Sequence, residues 1–191
     1  VECSANLLFQ FGVMATIMVR YLDGIEKPSV GLLNIGIENI KGNETIKEAS
    51  EFFRNSRLNY QGFVEGDAIF TGNVDIIVCD GFSGNVALKT SEGLAQMLTR
   101  ITREAFGHSW YSRILGGLAL PALKSIFRRI DHRRYNGAAL LGLRGAVIKS
   151  HGSADRVAFG HAIEVARRAI NTDLVRHIGE ELSSLDNSAN R

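Results

Sequence analysis

The sequence predicts an α/β fold in which helices flank a mostly parallel sheet. Short apolar runs that end in glycine, aspartate or serine alternate with amphipathic segments of a dozen or more residues. A length of 191 residues and a hydrophobic content of 45% suit a single α/β domain over residues 1–191. Because the chain begins at Val1 with neither Met nor a signal-peptide pattern, we expect it to be part of a longer protein.

The individual elements follow from the spacing of the apolar residues. Strands are predicted over residues 30–35, 60–64, 74–79 and 146–149. Helices are predicted over residues 5–23, 43–55 and 84–106 and from residue 154 onward, with Ser4 capping the first and Ser153 the last. The inner stripe of the last helix is expected to consist of Val157, Ile163, Val165, Ala166, Ile170 and Leu174.

Composition limits the classes of protein that the chain can represent. The most apolar segment, Leu7 to Val19, contains Gln10 and falls short of the roughly 18 residues that a membrane span needs. We therefore expect a soluble protein, which can still lie on a membrane surface. Cys3 and Cys79 lie in apolar surroundings without metal-ligand spacing, which favours a reduced cytosolic interior with neither a disulfide nor a metal.

Polar side chains and glycines follow three of the predicted strands. The carboxyl ends of parallel strands share one edge of a sheet, where helix N-termini present backbone N–H groups to ligands. Glycines let the backbone approach an anion closely. The three turns therefore predict one anion site formed by Asn34, Gly36, Lys41, Asn43, Glu44, Asp80, Gly81, Phe82, Ser83, Gly84, Asn85, Lys89, Lys149, His151 and Gly152.

A simpler interpretation of each turn stays open. Glycine after a strand is ordinary turn chemistry, and Asp80 and Asn85 can each serve as helix caps. The chain contains neither a P-loop nor a dinucleotide fingerprint, and the glycines around Ser83 lack the spacing of a nucleophile elbow. A lone histidine is more often structural, but His151, two positions after Lys149, can meet a substrate at neutral pH.

A basic apolar segment lies between residues 100 and 134. It carries eight Lys or Arg residues against two acids, a charge of +6, whereas the rest of the chain carries −4. Gly116, Gly117 and Pro121 interrupt its apolar pattern, which predicts a helical hairpin over residues 107–134 rather than one rod.

Two partners fit this segment, and a third is disfavoured. Its apolar side can rest on an anionic membrane surface or pack on a second copy of the chain, and these two interpretations are compatible. Nucleic acid is not expected, because no recognisable binding motif is present. The predicted contact residues are Trp110, Leu115, Leu118, Lys124, Phe127, Arg128 and Arg129.

Three blocks of sequence resemble the C-terminal half of the PlsX family, the phosphate acyltransferases of bacterial phospholipid synthesis. The blocks are GLLNIGIENIKGNE (residues 31–44), VDIIVCDGFSGNVALKTSEGLA (residues 74–95) and YNGAALLGLRGAVIKSHGSAD (residues 135–155). The resemblance implies transfer of a fatty acyl group from acyl-[acyl carrier protein] to inorganic phosphate, without a cofactor. It also implies a fold like that of the phosphotransacetylases and isocitrate-type dehydrogenases, a homodimer, and peripheral attachment to the inner face of the cytoplasmic membrane.

Taken with this resemblance, the turns receive hypothetical roles. Residues 80–85 and Lys89 would form one wall of a phosphate cleft, with the turns at 34–44 as its rim. Lys149 and His151 would stabilise the tetrahedral oxyanion or protonate the leaving thiolate. Asn136 and Gly137 would shape the acyl entrance. Two alternatives remain: a short-chain phosphotransacetylase that uses acyl-CoA, and a noncatalytic membrane-binding or interaction module.

Overall fold

The computed structural model describes residues 2–129 and 136–189. Within these residues the chain is α/β, as predicted, with six α-helices, five strands and a short 3-10 helix over Gly66–Phe70. The helices are α1 (Ala5–Asp23), α2 (Glu44–Arg54), α3 (Gly81–Gly107), α4 (Trp110–Arg129), α5 (Arg156–Asn171) and α6 (Leu174–Ala189). The strands are β1 (Ser29–Leu33), β2 (Asn59–Val64), β3 (Ile76–Val78), β4 (Ala138–Ala139) and β5 (Ile148–Lys149).

Strand β1 is the centre of a three-stranded parallel sheet with the order β2-β1-β3. Its residues Val30 and Leu32 are both fully shielded from solvent, which explains why the strand is an unbroken apolar run. The register with β2 shifts between Val30 and Gly31, so Gln61 is skipped, and Gly62 beside it has a φ of 96°. The parallel pairing brings the carboxyl ends of β1 and β3 to one edge.

Strand β5 lies outside this sheet, which corrects the prediction that all the strand ends share one parallel edge. It pairs antiparallel with β4, a strand that the sequence pattern did not reveal, in a separate two-stranded sheet. Each of these strands has only two residues, too few for a periodic pattern to distinguish the pairing.

Helix α1 is the core helix of the chain. With 19 residues it is long and apolar enough to cross a membrane by length and composition, which corrects the expectation drawn from residues 7–19. In the fold it contacts α2, β3 and α6, and Leu8 and Ile17 are almost fully buried in two apolar clusters. Its Ser4 cap is confirmed by a hydrogen bond from the Leu7 N–H to Oγ (3.2 Å).

The C-terminal helical region differs from its prediction in two ways. Asp155, rather than Ser153, caps α5 by accepting a hydrogen bond from the Ala158 N–H (2.9 Å). The helix also ends at Asn171, and α6 begins only after Asp173, whose φ of 51° interrupts the helical backbone.

The buried side of α5 also differs from the predicted stripe. Alanines make the close contact, because their small side chains let neighbouring backbone approach the helix. Leu174 at the start of α6 is buried as predicted, whereas Val157, Ile163 and Ile170 are more than half exposed. The buried residues of α5 are Ala158, Ala162 and Ala169.

Helices α3 and α4 are separated by residues 108–109 and pack against each other. Over the described part of residues 107–134 the structure differs from the predicted hairpin. Helix α4 continues through Gly116, Gly117 and Pro121 as one helix to Arg129. Gly116 is buried, and a Cβ there would lie 3.0 Å from the Phe106 side chain. Because glycine has no side chain, α3 and α4 can pack closely at this point. Residues 130–134 of the predicted hairpin lie outside the described part of the chain.

The close packing of α1 on α2 generates a stability prediction. A Cβ added at Gly12 would come closer than 3.0 Å to the ring of Phe53, which is completely buried and stacked against Tyr60. We therefore expect Gly12→Ala to lower the free energy of unfolding by about 1–3 kcal/mol, the usual cost of overpacking a core. Urea unfolding followed by circular dichroism measures the change.

The matched control is the same substitution at Gly179 in α6, where an added Cβ meets no atom within 4 Å. Because alanine favours a helix over glycine by about 1 kcal/mol, Gly179→Ala should leave stability unchanged or raise it. Equal effects of the two substitutions would contradict the packing described for Gly12.

Candidate active site

Two of the three predicted turns meet at one edge of the sheet. Asn34 directly follows β1, and Asp80 lies two residues after β3. Because β1 and β3 are parallel neighbours, the turns that follow them begin at the same edge of the sheet. This part of the predicted site geometry is therefore present in the fold.

Asp80 caps α3. Its Oδ1 accepts hydrogen bonds from the N–H groups of Phe82 and Ser83 (both 2.8 Å), and its Oδ2 accepts one from the Ser83 hydroxyl (2.7 Å). Desolvation opposes ionisation, but hydrogen bonds from Ser83 and Phe82 together hold the pKa of Asp80 below its ordinary value. The two N–H groups are occupied while Asp80 caps the helix, so an anion bound by them would have to displace its carboxylate.

The turn after β1 is organised by Asn34. Its buried side chain accepts a hydrogen bond from the Ile35 N–H (2.9 Å) and donates one to the Lys41 carbonyl (3.2 Å). Gly42, with a φ of 91°, lies directly against this amide, where a Cβ would collide with it. The amide of Asn34 thus shapes the loop. The candidate for anion binding in this loop is the exposed side chain of Lys41.

The end of this loop starts α2. Asn43 caps the helix by accepting a hydrogen bond from the Ile46 N–H (2.9 Å), and Glu44 pairs with Lys47 at 3.1 Å. Glu44 also lines an open polar groove beside α2, with a volume of about 500 Å³. Asn43 and Glu44, which the sequence analysis assigned to the rim of the phosphate cleft, therefore have local structural roles.

The third turn approaches α3 through charged side chains. Lys89 Nζ lies 2.9 Å from Glu92 Oε2, and Glu92 Oε1 lies 3.6 Å from His151 Nε2. The helix that starts at the Asp80 turn thereby reaches the turn that follows β5. Lys149 is exposed on β5, and Asn85 and Gly152 are exposed as well.

Asn136 holds the His151 turn in place through its side-chain amide. Its Oδ1 accepts a hydrogen bond from the His151 N–H (2.8 Å), while its Nδ2 donates to Ser150 Oγ (2.9 Å) and to the Ala158 carbonyl (2.8 Å). The residue is only 8% exposed. Asn136 is thus part of the support of His151.

The neighbouring Gly137 packs on α5. It has a φ of 114°, and a Cβ there would lie 2.9 Å from the Ala162 Cα. The backbone at this point therefore requires glycine for both conformation and space.

Two features of this region escaped the sequence interpretation. Glu92 lies three residues after Lys89 on a helix, a spacing that indicates a salt bridge and could have identified it. Ser153 contacts the His151 Nδ1 with its hydroxyl (2.9 Å) rather than capping α5. The contact of Glu92 with His151 bridges 59 positions of sequence, and no local pattern could have indicated it.

The predicted membrane contacts lie on α4. Trp110 and Leu118 are about three-quarters exposed, and Leu115 is 44% exposed. Lys124, Phe127, Arg128 and Arg129 are in the same helix, but their side chains are outside the described part of the structure.

Helix α3 adds to this apolar surface. Within the described residues, none of its side chains is buried, and those that are both large and exposed are Phe82, Val86, Leu88, Leu94, Met97, Leu98 and Ile101.

Comparison with known proteins gives consistent matches. A family model described as "Fatty acid synthesis protein" matches residues 1–177. A phosphate acyltransferase of Paraburkholderia phytofirmans is 54% identical over 193 residues, which cover 99% of this chain and 52% of the relative. Phosphate acyltransferases of Nitrosococcus oceani (54% over 182 residues; 95% and 54%) and Alkalilimnicola ehrlichii (52% over 185 residues; 97% and 54%) are similar. The chain spans about half the length of these curated relatives.

The capping of α3 generates a prediction about pH. Because the pKa of Asp80 is lowered in the folded state, its stabilisation is present above the pKa of an unfolded Asp, about 3.9, and is lost as the pH falls through the folded value. At pH 7 we expect Asp80→Ala to be less stable than the unmodified chain by about 0.5–2 kcal/mol. Urea unfolding at pH 7 and in steps below pH 4 should show this difference shrinking.

Asp67→Ala is the matched control, since Asp67 lies in the first turn of the 3-10 helix and is not the residue at its N-cap position, which is Glu65. A difference for Asp80→Ala that stays constant from neutral to acid pH would contradict capping by the ionised carboxylate.

Proposed function

The chain belongs to the fatty acid synthesis protein family, and from this membership we propose that it transfers a fatty acyl group from acyl-[acyl carrier protein] to inorganic phosphate. The product would be acyl phosphate for phospholipid synthesis. The observation that carries the proposal is the 54% identity, over nearly the whole chain, to relatives named phosphate acyltransferase. The resemblance to the PlsX family is thereby confirmed, while the activity, substrates and partners of the whole protein are proposed for this chain.

The proposed reaction needs an anion that is held and aimed. A phosphate oxygen attacks the thioester carbon, a tetrahedral oxyanion forms, and the carbon–sulfur bond breaks as the thiolate leaves and takes up a proton. Cations and N–H donors that hold phosphate beside the thioester can supply most of the acceleration through positioning and charge stabilisation. Such a mechanism needs no covalent enzyme intermediate.

The side chains at the candidate site suit these tasks. We assign phosphate binding to Lys89 and Lys41, and stabilisation of the oxyanion or protonation of the thiolate to Lys149 and His151. The contacts that bring Lys89 and His151 to one carboxylate support this grouping. The turns at Asn34 and Asp80 would form the walls, each stiffened by its own hydrogen bonds.

The surroundings of α4 suit two macromolecular partners. Residues 100–134 carry a charge of +6, which would accelerate encounter with an acidic carrier protein and attract an anionic membrane surface. The exposed apolar side chains of α3 and α4 support peripheral binding to the inner face of the cytoplasmic membrane and formation of a homodimer. We further propose that the chain is one α/β domain related to the phosphotransacetylases and isocitrate-type dehydrogenases.

A chimera tests the proposal. This chain would replace the matching half of the Paraburkholderia phytofirmans relative, and acyl phosphate would be measured with inorganic phosphate and either long-chain acyl-[acyl carrier protein] or acetyl-CoA. We expect product from the acyl carrier protein. Lys149→Ala and His151→Ala should each lower turnover by about 10²-fold or more, because each removes a donor to the reacting groups.

Lys27→Ala and His161→Ala are the matched controls, since Lys27 is exposed far along the chain from Lys149 and His161 lies on α5. Both should keep normal rates, and circular dichroism would establish that all variants fold. A preference for acetyl-CoA would favour the short-chain phosphotransacetylase. Absence of product from both donors, or near-normal rates in the Lys149 and His151 variants, would contradict the proposed function and its site, respectively.

A further inference from the structure

Glu92 joins two elements of the candidate site. It extends from α3, and its two carboxylate oxygens face different side chains: Oε2 lies 2.9 Å from Lys89 Nζ, and Oε1 lies 3.6 Å from His151 Nε2. Its side chain is 28% exposed, less than that of Lys89 (60%) or His151 (43%). Glu92 is thus the least exposed of the three side chains, and its carboxylate contacts both of the others.

The other side of the imidazole identifies its tautomer. The Ser153 N–H lies 3.3 Å from His151 Nδ1, and a backbone N–H can only donate a hydrogen bond. The Nδ1 atom accepts this hydrogen bond, and the Ser153 hydroxyl, 2.9 Å from the same nitrogen, can donate to it as well. In the neutral ring this geometry assigns the proton to Nε2. This is the nitrogen that faces Glu92.

The backbone of the histidine is held independently of its ring. The buried Asn136 amide accepts a hydrogen bond from the His151 N–H and donates to Ser150 and to the Ala158 carbonyl on α5. The main chain is therefore anchored to α5, and the ring is oriented by Ser153 on one side and Glu92 on the other.

The separation of Glu92 from His151 suits a site that receives a substrate oxygen. A distance of 3.6 Å is longer than a hydrogen bond but short enough for charge attraction. The carboxylate can thus direct the Nε2–H group while that group donates to an oxygen placed beside it. Lys89 offsets the negative charge that Glu92 would otherwise present to an anion.

We propose that Glu92 is a positioning residue that holds the Lys89 ammonium and the His151 Nε2–H group side by side toward one bound oxyanion. The inference deepens the proposed function and rests on it for the identity of that oxyanion. In this arrangement His151 acts through Nε2 as a hydrogen-bond donor, and Glu92 acts through His151 and Lys89 rather than on the substrate.

Two measurements test the proposal. The first is a proton–nitrogen NMR spectrum of the His151 imidazole in the 191-residue chain, at roughly pH 8.5, where histidines as a class are neutral. The unmodified chain should show the Nε2–H tautomer, and Glu92→Gln should reduce its share. The second is kcat of the chimera, which Glu92→Gln should lower about 10- to 100-fold with KM for the acyl donor little changed, as expected for misplaced groups.

Glu92→Asp keeps the charge on a shorter side chain and should give a kcat between those of the unmodified chimera and Glu92→Gln. Glu164→Gln is the matched control, because Glu164 forms the same kind of i,i+3 pair with Arg167 on α5. It should change neither the spectrum nor kcat.

The proposal is supported only if the tautomer and kcat both change in Glu92→Gln. A change in one without the other would overturn it, as would an Nδ1–H tautomer in the unmodified chain. If Glu92→Gln does not fold, Glu92→Asp is measured instead. A partial loss of both the Nε2–H tautomer and kcat in Glu92→Asp would then support the proposal, and an unchanged tautomer or kcat would overturn it. If the unmodified chimera forms no acyl phosphate, the proposed function fails, and the imidazole spectra alone decide the role of Glu92.

Discussion

The parallel pairing of β1 with both β2 and β3 is the constraint on which the candidate site depends. Val30 and Leu32 of the central strand are completely buried, and the pairing sets Leu32 beside Phe63 of β2 and Val78 of β3. The pairing places the turns at Asn34 and Asp80 at one edge. Each turn is then closed by its own side chain, which makes the edge a preformed structure rather than a pair of loose loops.

Helix α3 connects this edge of the sheet to the turn that contains His151. It begins at the edge with the Asp80 cap and meets the turn after β5 through Glu92. His151 therefore lies beside α3 although its strand belongs to a different sheet. Asn136 and Gly137 fix the same turn on α5, so that the position of His151 depends on two helices and on a buried amide.

Sequence patterns predicted the elements whose burial is periodic and missed those set by distant contacts. The apolar runs of β1 and β3 and the Ser4 cap were predicted because each depends on neighbouring residues. The exposed face of α5 was misjudged because alanines, rather than the larger Ile163 and Ile170, make the close contact. No local pattern indicates that Gly116 of α4 packs against Phe106 of α3, and none indicates the contact of Glu92 with His151.

We propose that these turns gather around one inorganic phosphate. A crystal structure of the chimera grown with inorganic phosphate would show whether they do. We expect a phosphate within hydrogen-bond distance of Lys89, Lys149 or His151 and against the turn at residues 80–85. A phosphate held only by the basic residues of α4, or by a surface without any of these groups, would contradict it.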